Sequence, residues 1–297
     1  MNVVSARSLD EVLHALEPDD PPELLAGGTD FMVEVNFGRR RPSAVLALGR
    51  VPELRGWSPE AADDGVGGSL WVGAGTTYRE LLGPELARRA PVLAYAARTV
   101  GSPQIRNAGT VGGNLGTASP AGDLLPPLLA LGAVVELASS AGTRRVSVED
   151  FLVGPKRTSL GAGEVITGVR FEVADGPQDF LKVGTRNAMV IAVASVATVV
   201  DWRTGRLRLA LGSVGPTAMR AREAERLAEA RLDVEGRRLS GGEAGLIEIA
   251  DAAAEAARPI DDHRSSAEYR RHAVRVGVAR SLRRILGGDR ADLEVSA

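Results

Sequence analysis

Residues 99–123, TVGSPQIRNAGTVGGNLGTASPAGD, constrain this chain more than any other stretch. The run is dense in glycine and poor in large apolar anchors, so it cannot continue as ordinary helix or strand throughout. Glycines gather where backbone takes positive φ or presses close against a neighbour. Here Gly112 and Gly113 precede Asn114, the hydroxyl residues Thr117 and Ser119, and Asp123. That set offers backbone N–H groups, short donors and one carboxylate, which suits a phosphorylated ligand whose ribose diol needs an acceptor. Asp123 reads equally as that acceptor or as a turn former. A second glycine turn lies upstream in LLAGGTDF, residues 24–31. Two such turns point to a ligand with two phosphates, gripped from two sides. The competing reading is a long surface loop, although functionless loops of this length are uncommon.

The flanking sequence gives the turns a setting. Ser8 and Glu11 have capping-box spacing, and Leu9, Val12, Leu13 and Leu16 follow at helical intervals, which predicts a helix over 8–17. The segment 19–22 ends it. Residues 23–26 read as a short buried strand. Thr29 or Asp30 then caps a helix running through Val35, a strand–turn–helix order that presents N–H groups to an anion. Strands are expected at 43–48 and 70–74, a helix from about Thr77, and continuous helix over 84–99. Pro126 and Pro127 bar regular helix before about residue 126, leaving a short turn at 128–131. Residues 133–138 and 143–148 form a hairpin around 140–142. Residues 165–173 alternate as a strand.

Asp175-Gly176-Pro177 is the best domain boundary, which divides the chain into 1–175 and 176–297. Beyond it, 178–183, 190–201 and 206–214 read as an antiparallel meander with a tight turn at Thr204-Gly205. Helices at 219–231, 242–257 and 266–286 close the chain, so the second domain is a sheet with helices on one face, an α+β arrangement. Residues 287–297 read as a loose tail.

Composition removes several function classes. The chain of 297 residues has a formal net charge of −2, so nothing favours nucleic acid or an anionic membrane. It holds no cysteine, which excludes disulfides, thiolate zinc sites and iron–sulfur ligation by this chain. His14, His263 and His272 are scattered, so no metal site is expected. The N-terminal residues lack a basic flank followed by an apolar core, and no apolar run approaches a membrane span. A cytoplasmic protein is the expectation. No nucleophile–base pair is visible, so any catalysis must come from a bound cofactor. Other polar residues stay open on chemistry alone. Arg106 reads as a phosphate contact or as a brace on nearby carbonyls. Lys182 is a lone lysine of the kind usually solvated. Tyr269, Arg270 and Arg271 read as an exposed face or subunit contact.

Four blocks then coincide in order: LLAGGTDF, QIRNAGTVGGN with TASPAGDLLP, KVGTRNAMVIAVAS, and LGSVGPTAMRAREAE. Together they resemble the FAD-carrying medium subunit of the molybdenum hydroxylases, the group of carbon monoxide and xanthine dehydrogenases, over residues 3–285. The resemblance implies a vanillyl-alcohol-oxidase-type (PCMH) FAD-binding domain followed by a smaller C-terminal domain. It implies that Leu25, Ala26, Gly27, Gly28, Thr29 and Asp30 hold the FAD diphosphate together with Thr110, Val111, Gly112, Gly113 and Asn114. It assigns Thr117 and Asp123 to the adenosine end, and Val100, Ile166 and Lys182 to the flavin ring. Val100 stands where the xanthine dehydrogenases carry an aromatic residue. A lysine at the pyrimidine end would raise the flavin potential. The implied partners are a large subunit with a molybdenum cofactor and a small subunit with two 2Fe–2S clusters, in a dimer of heterotrimers. This chain would relay electrons to an external acceptor. A stand-alone flavoenzyme of the same fold and a non-catalytic nucleotide-binding module are the alternatives.

Overall fold

The computed structural model describes residues 2–17, 20–61 and 68–286. The chain opens with a small parallel sheet. Asn2–Ser5 and Glu23–Leu25 both pair with Ala44–Ala47, which lies between them. The helix Leu9–Ala15 makes the crossover, and Ser8 caps it by accepting the Glu11 N–H. The strand at 2–5 escapes sequence reading because its side chains are all exposed and show no alternation.

A larger antiparallel sheet follows. Its order is Trp57–Ala61, Gly68–Gly73, Val165–Glu172, Val134–Ser139, Gly142–Ser147. The chain leaves this sheet after Gly73 for a run of short helices and returns at Val134. Those helices are Tyr78–Leu81, Pro84–Arg89, Pro91–Thr99, Pro103–Ala108, Val111–Thr117 and Leu125–Leu131. The continuous helix expected over 84–99 is broken at Ala90, where Pro91 starts a new helix. The helix expected at 128–131 begins earlier, at Leu125. Pro126 and Pro127 sit in its first turn, where a missing N–H costs nothing.

The C-terminal sheet is antiparallel in the order Gln178–Val183, Ala194–Asp201, Arg206–Gly212, Met219–Arg220. The strand expected from residue 190 starts at Ala194. Met219 and Arg220 pair with Leu211 and Ala210, so the following helix begins only at Arg222. One face of this sheet carries Val196, Val200, Leu207, Leu209 and Leu211 against the helices Gly242–Ala256 and Ala267–Leu286. Its other face is covered too. Phe180, Ala197, Val199 and Ala210 join Leu93, Leu115, Leu128, Leu137 and Phe151 in one core. Burying each such large side chain contributes roughly 1.5–3 kcal/mol relative to leaving it in water. A polar tie crosses the same seam: the Val92 N–H donates to Gln178 Oε1 at 3.2 Å, fixing strand Gln178–Val183, which carries Lys182, against the helical run. On the opposite face Arg284 of the helix Ala267–Leu286 grips the buried Asp179 carboxylate with paired bonds. The tail expected at 287–297 and the start of the breaker at 19–22 lie outside the described residues.

Candidate functional site

The upstream glycine turn is shaped by contact. A Cβ on Gly27 would fall 1.9 Å from the Ala108 carbonyl oxygen, so only glycine fits. Gly28 has φ of +72°, which again favours glycine. The turn links the Glu23–Leu25 strand, whose Leu25 carbonyl accepts the Leu48 N–H, to the helix Phe31–Asn36. Asp30 occupies the cap position of that helix without a side-chain bond. Among the described residues, the N–H groups of Gly27, Gly28, Thr29 and Asp30 have no protein acceptor. They form a row of free donors.

The downstream element is not a turn. Thr110 caps the helix Val111–Thr117, its Oγ1 accepting the Gly113 N–H at 3.0 Å. The poor helix propensity of Gly112, Gly113 and Gly116 is overridden by packing. Val111 and Leu115 are buried anchors, and a Cβ on Gly112 would lie 2.6 Å from that of Ala74. Residues 111–114, expected to offer backbone donors to a diphosphate, spend them within the protein. The Val111 N–H donates to Thr76 O, Gly112 to Ala74 O, and Asn114 to Thr110 O. These donors are already committed within the protein. What the helix start offers instead is a bare surface at Gly113 and the Asn114 side chain. The two elements meet there, since a Cβ on Gly113 would stand 3.9 Å from that of Ala26.

A polar cluster adjoins them. Lys182 Nζ donates to Asp123 Oδ2 at 2.6 Å and to the Thr99 carbonyl at 3.2 Å. Both side chains are nearly buried. Burial pushes the Asp123 carboxyl up to about 6, against the lowering effect of the Lys182 ammonium. Asp123 Oδ1 and Asn114 Oδ1 are buried without a partner. The pair brings together two residues that the resemblance assigns to opposite ends of the ligand. Asp123, given to adenosine, and Lys182, given to the flavin ring, stand side by side. Ile166, also given to the ring, lies next to the helix end that carries Thr117: a Cβ on Gly116 would be 3.7 Å from Ile166 Cδ1. Lys182, read on chemistry alone as a lone and solvated lysine, is instead buried against a carboxylate that offsets its charge.

Arg106 takes the bracing role. It donates to the carbonyls of Val100 and Gly101, holding the chain beside Thr99. Arg270 is not on an exposed face. It is buried, donates to the Val193 and Ser213 carbonyls, and pairs with Asp262. Sequence reading missed Tyr78, which is buried next to Asn114, with the Asp123 and Asp30 carboxylates near enough to act on it. The capping box of Thr77 and Glu80 marked its helix start, but nothing in the sequence marked the ring.

The donor set fits a dinucleotide. Free N–H groups at 27–30 suit phosphate oxygens, the bare Gly113 lets a ligand approach closely, and the orphaned oxygens of Asn114 and Asp123 ask for hydroxyl or N–H donors.

Comparison with known proteins agrees. The family described as FAD binding domain in molybdopterin dehydrogenase matches residues 1–171, and the CO dehydrogenase flavoprotein C-terminal domain matches residues 179–285. The chain is similar to the glyceraldehyde dehydrogenase medium chain of Sulfolobus acidocaldarius, at 32% identity over 95% of this chain and 97% of that one. It is 31% identical to the carbon monoxide dehydrogenase medium chain of Hydrogenophaga pseudoflava, over 84% and 83% of the two chains. A solved structure of carbon monoxide dehydrogenase from that organism superposes with a TM-score of 0.84 at 29% identity, covering 96% of both chains. The chain therefore belongs to the FAD-binding medium subunits of the molybdenum hydroxylase family, and its class is that of an oxidoreductase subunit.

Proposed function

We propose that this chain is the electron-transfer subunit of a molybdenum hydroxylase complex. It takes electrons from 2Fe–2S clusters on a small partner subunit and passes them to an external acceptor. A large partner with the molybdenum cofactor oxidises the substrate, and the assembly is a dimer of heterotrimers in the cytoplasm. The observation that carries the reading is the row of free N–H donors at 27–30 facing the bare Gly113. The absence of cysteine in the chain supports it from the other side, because iron–sulfur clusters then need another polypeptide.

Within this reading, residues 1–175 form the FAD-binding unit and 176–297 the C-terminal unit. Bound FAD supplies redox chemistry that no side chain here can perform. The chain's own residues bind and orient it. Ala26, Gly27, Gly28, Thr29 and Asp30 hold the diphosphate with their N–H groups. Gly113 supplies a surface without bulk, and Thr110, Val111 and Gly112 hold it in place through the Thr110 Oγ1 bond and the bonds to Thr76 and Ala74. Val100, Asp123 and Lys182 act together at one part of the ligand, while Ile166 and Thr117 act at another. Lys182 belongs to the C-terminal unit, so that unit completes the site.

The test is purification of the native assembly. The reading expects this chain to emerge with a large and a small partner, carrying FAD, iron and molybdenum together. A colourless preparation, or a lone chain with full substrate turnover, would overturn it. No helix among the described residues is long and apolar enough to cross a membrane.

A further inference from the structure

Tyr78 lies outside the four sequence blocks that carry the resemblance, yet the fold is built closely around it. Its N–H donates to the Gly109 carbonyl at 3.0 Å. Its ring edge fills the space left by the missing side chain of Gly109, where a Cβ would come 2.4 Å from Cε2. The ladder that leads up to it, Thr76 O to the Val111 N–H and Ala74 O to the Gly112 N–H, locks this segment to the helix Val111–Thr117. The phenol consequently projects beside the Asn114 carboxamide, close enough to Asp123 and Asp30 for both carboxylates to act on it.

The Tyr78 hydroxyl and the Asn114 side chain are close enough to bond one another, and the Asp123 carboxylate is near enough to act on the phenol. Asn114 Oδ1 and Asp123 Oδ1 are buried acceptors with no donor, and Asp123 is 8% exposed. A buried acceptor left unpaired is costly, so such a pair is kept where a ligand supplies the donors. Phosphate does not qualify: its oxygens only accept near neutral pH, and the Asp123 carboxylate would repel them. A hydroxyl both donates and accepts. Two neighbouring hydroxyls would satisfy both orphaned oxygens and still accept from the Tyr78 O–H. Burial, with the carboxylates of Asp123 and Asp30 adding to it, pushes the Tyr78 phenol up, so it remains a donor throughout the working range of pH.

We propose that Tyr78 is a ligand-contacting residue, forming with Asn114 Oδ1 and Asp123 Oδ1 a subsite for the vicinal hydroxyl groups of a ribityl or ribose chain. The inference rests on the reading of this site as the FAD site and adds a residue to it. Tyr78 sets selectivity for the sugar-alcohol part of the ligand, while the donors at 27–30 serve its phosphates.

The test uses flavin-free full chain and measures dissociation constants for FAD, riboflavin, ADP and lumiflavin, which carries the flavin ring without a ribityl chain. Tyr78→Phe keeps the ring in its place against Gly109 and removes only the hydroxyl. It is expected to weaken FAD binding about 5- to 10-fold, the effect of losing a hydrogen bond to a neutral partner, and to leave lumiflavin unaffected. A parallel loss for riboflavin assigns the ribityl chain, and a parallel loss for ADP assigns the ribose. Should Tyr78→Phe fail to fold, Asn114→Ala provides the same comparison, with FAD weakened and lumiflavin unchanged. FAD affinity within twofold of the unmodified chain, or an equal loss for lumiflavin, would overturn the subsite alone. Failure of the unmodified chain to bind FAD would overturn the cofactor reading and the subsite together.

Discussion

Replacing Lys182 by Met exposes the energetics of the buried pair. In the unmodified chain, burial raises the Asp123 carboxyl from 3.8 to about 6 even with the ammonium beside it. At about 1.36 kcal/mol per unit, carrying that charge at neutral pH costs the fold roughly 3 kcal/mol. The folded value lies above the unfolded one, so the cost is absent below the unfolded value, grows between the two, and is constant above about 6. Lys182→Met removes the opposing charge and the 2.6 Å bond to Oδ2, leaving both carboxylate oxygens without a partner. The folded value then climbs further. The variant's extra penalty grows by about 1.4 kcal/mol for each pH unit above roughly 6, until the new value is reached. Breaking such a pair from one side costs about 3–5 kcal/mol in full. Urea unfolding of the flavin-free chain near pH 6 and near pH 8 measures this directly, and the loss is expected mainly at the higher pH. The double variant Lys182→Met with Asp123→Asn should lose the pH dependence. Equal destabilisation at both pH values, or a pH dependence that survives Asp123→Asn, would refute the reasoning.

Two further outcomes follow from the backbone. Gly27→Ala drives a methyl into the Ala108 carbonyl, so backbone must shift; a loss of about 3 kcal/mol or more is expected, seen as a lower Tm together with loss of bound FAD. Ser213 holds φ of +62° and its Oγ is buried without a partner, so Ser213→Gly should stabilise the chain by about 1 kcal/mol in urea unfolding. No gain in that measurement would mean the residue is held without strain.

The sequence revealed contacts made by absent side chains better than those made by present ones. Gly27 and Gly28 were legible as a tight turn, because a glycine pair between a strand and a helix marks close approach or positive φ. The role of 110–114 was half legible. Its glycines marked a close approach, but their low helix propensity hid a helix that Val111 and Leu115 hold in place by burial. Nor could sequence show that its N–H groups are spent on Ala74 and Thr76, because those acceptors come from a distant segment. The same holds for Lys182 and Asp123, which are 59 residues apart and meet only when the C-terminal sheet docks on the helical run. Arg270 looked like a surface charge from its helix position, whereas the carbonyls of Val193 and Ser213 draw it inside. Tyr78 carried no spacing signal at all, since its place is fixed by the gap at Gly109 rather than by any pattern around it.

The claim beneath all of this is that the donors at 27–30 and the bare Gly113 close on the diphosphate of FAD. Gly113→Asp tests it most directly: a Cβ there meets Thr110 Oγ1 at 3.0 Å and points toward Ala26, so its carboxylate would occupy the anion's place. The visible spectrum of the purified protein is the measurement. The unmodified chain should be yellow with stoichiometric FAD, and the variant should be folded by circular dichroism yet colourless. A folded Gly113→Asp chain that keeps its full complement of flavin would contradict the account.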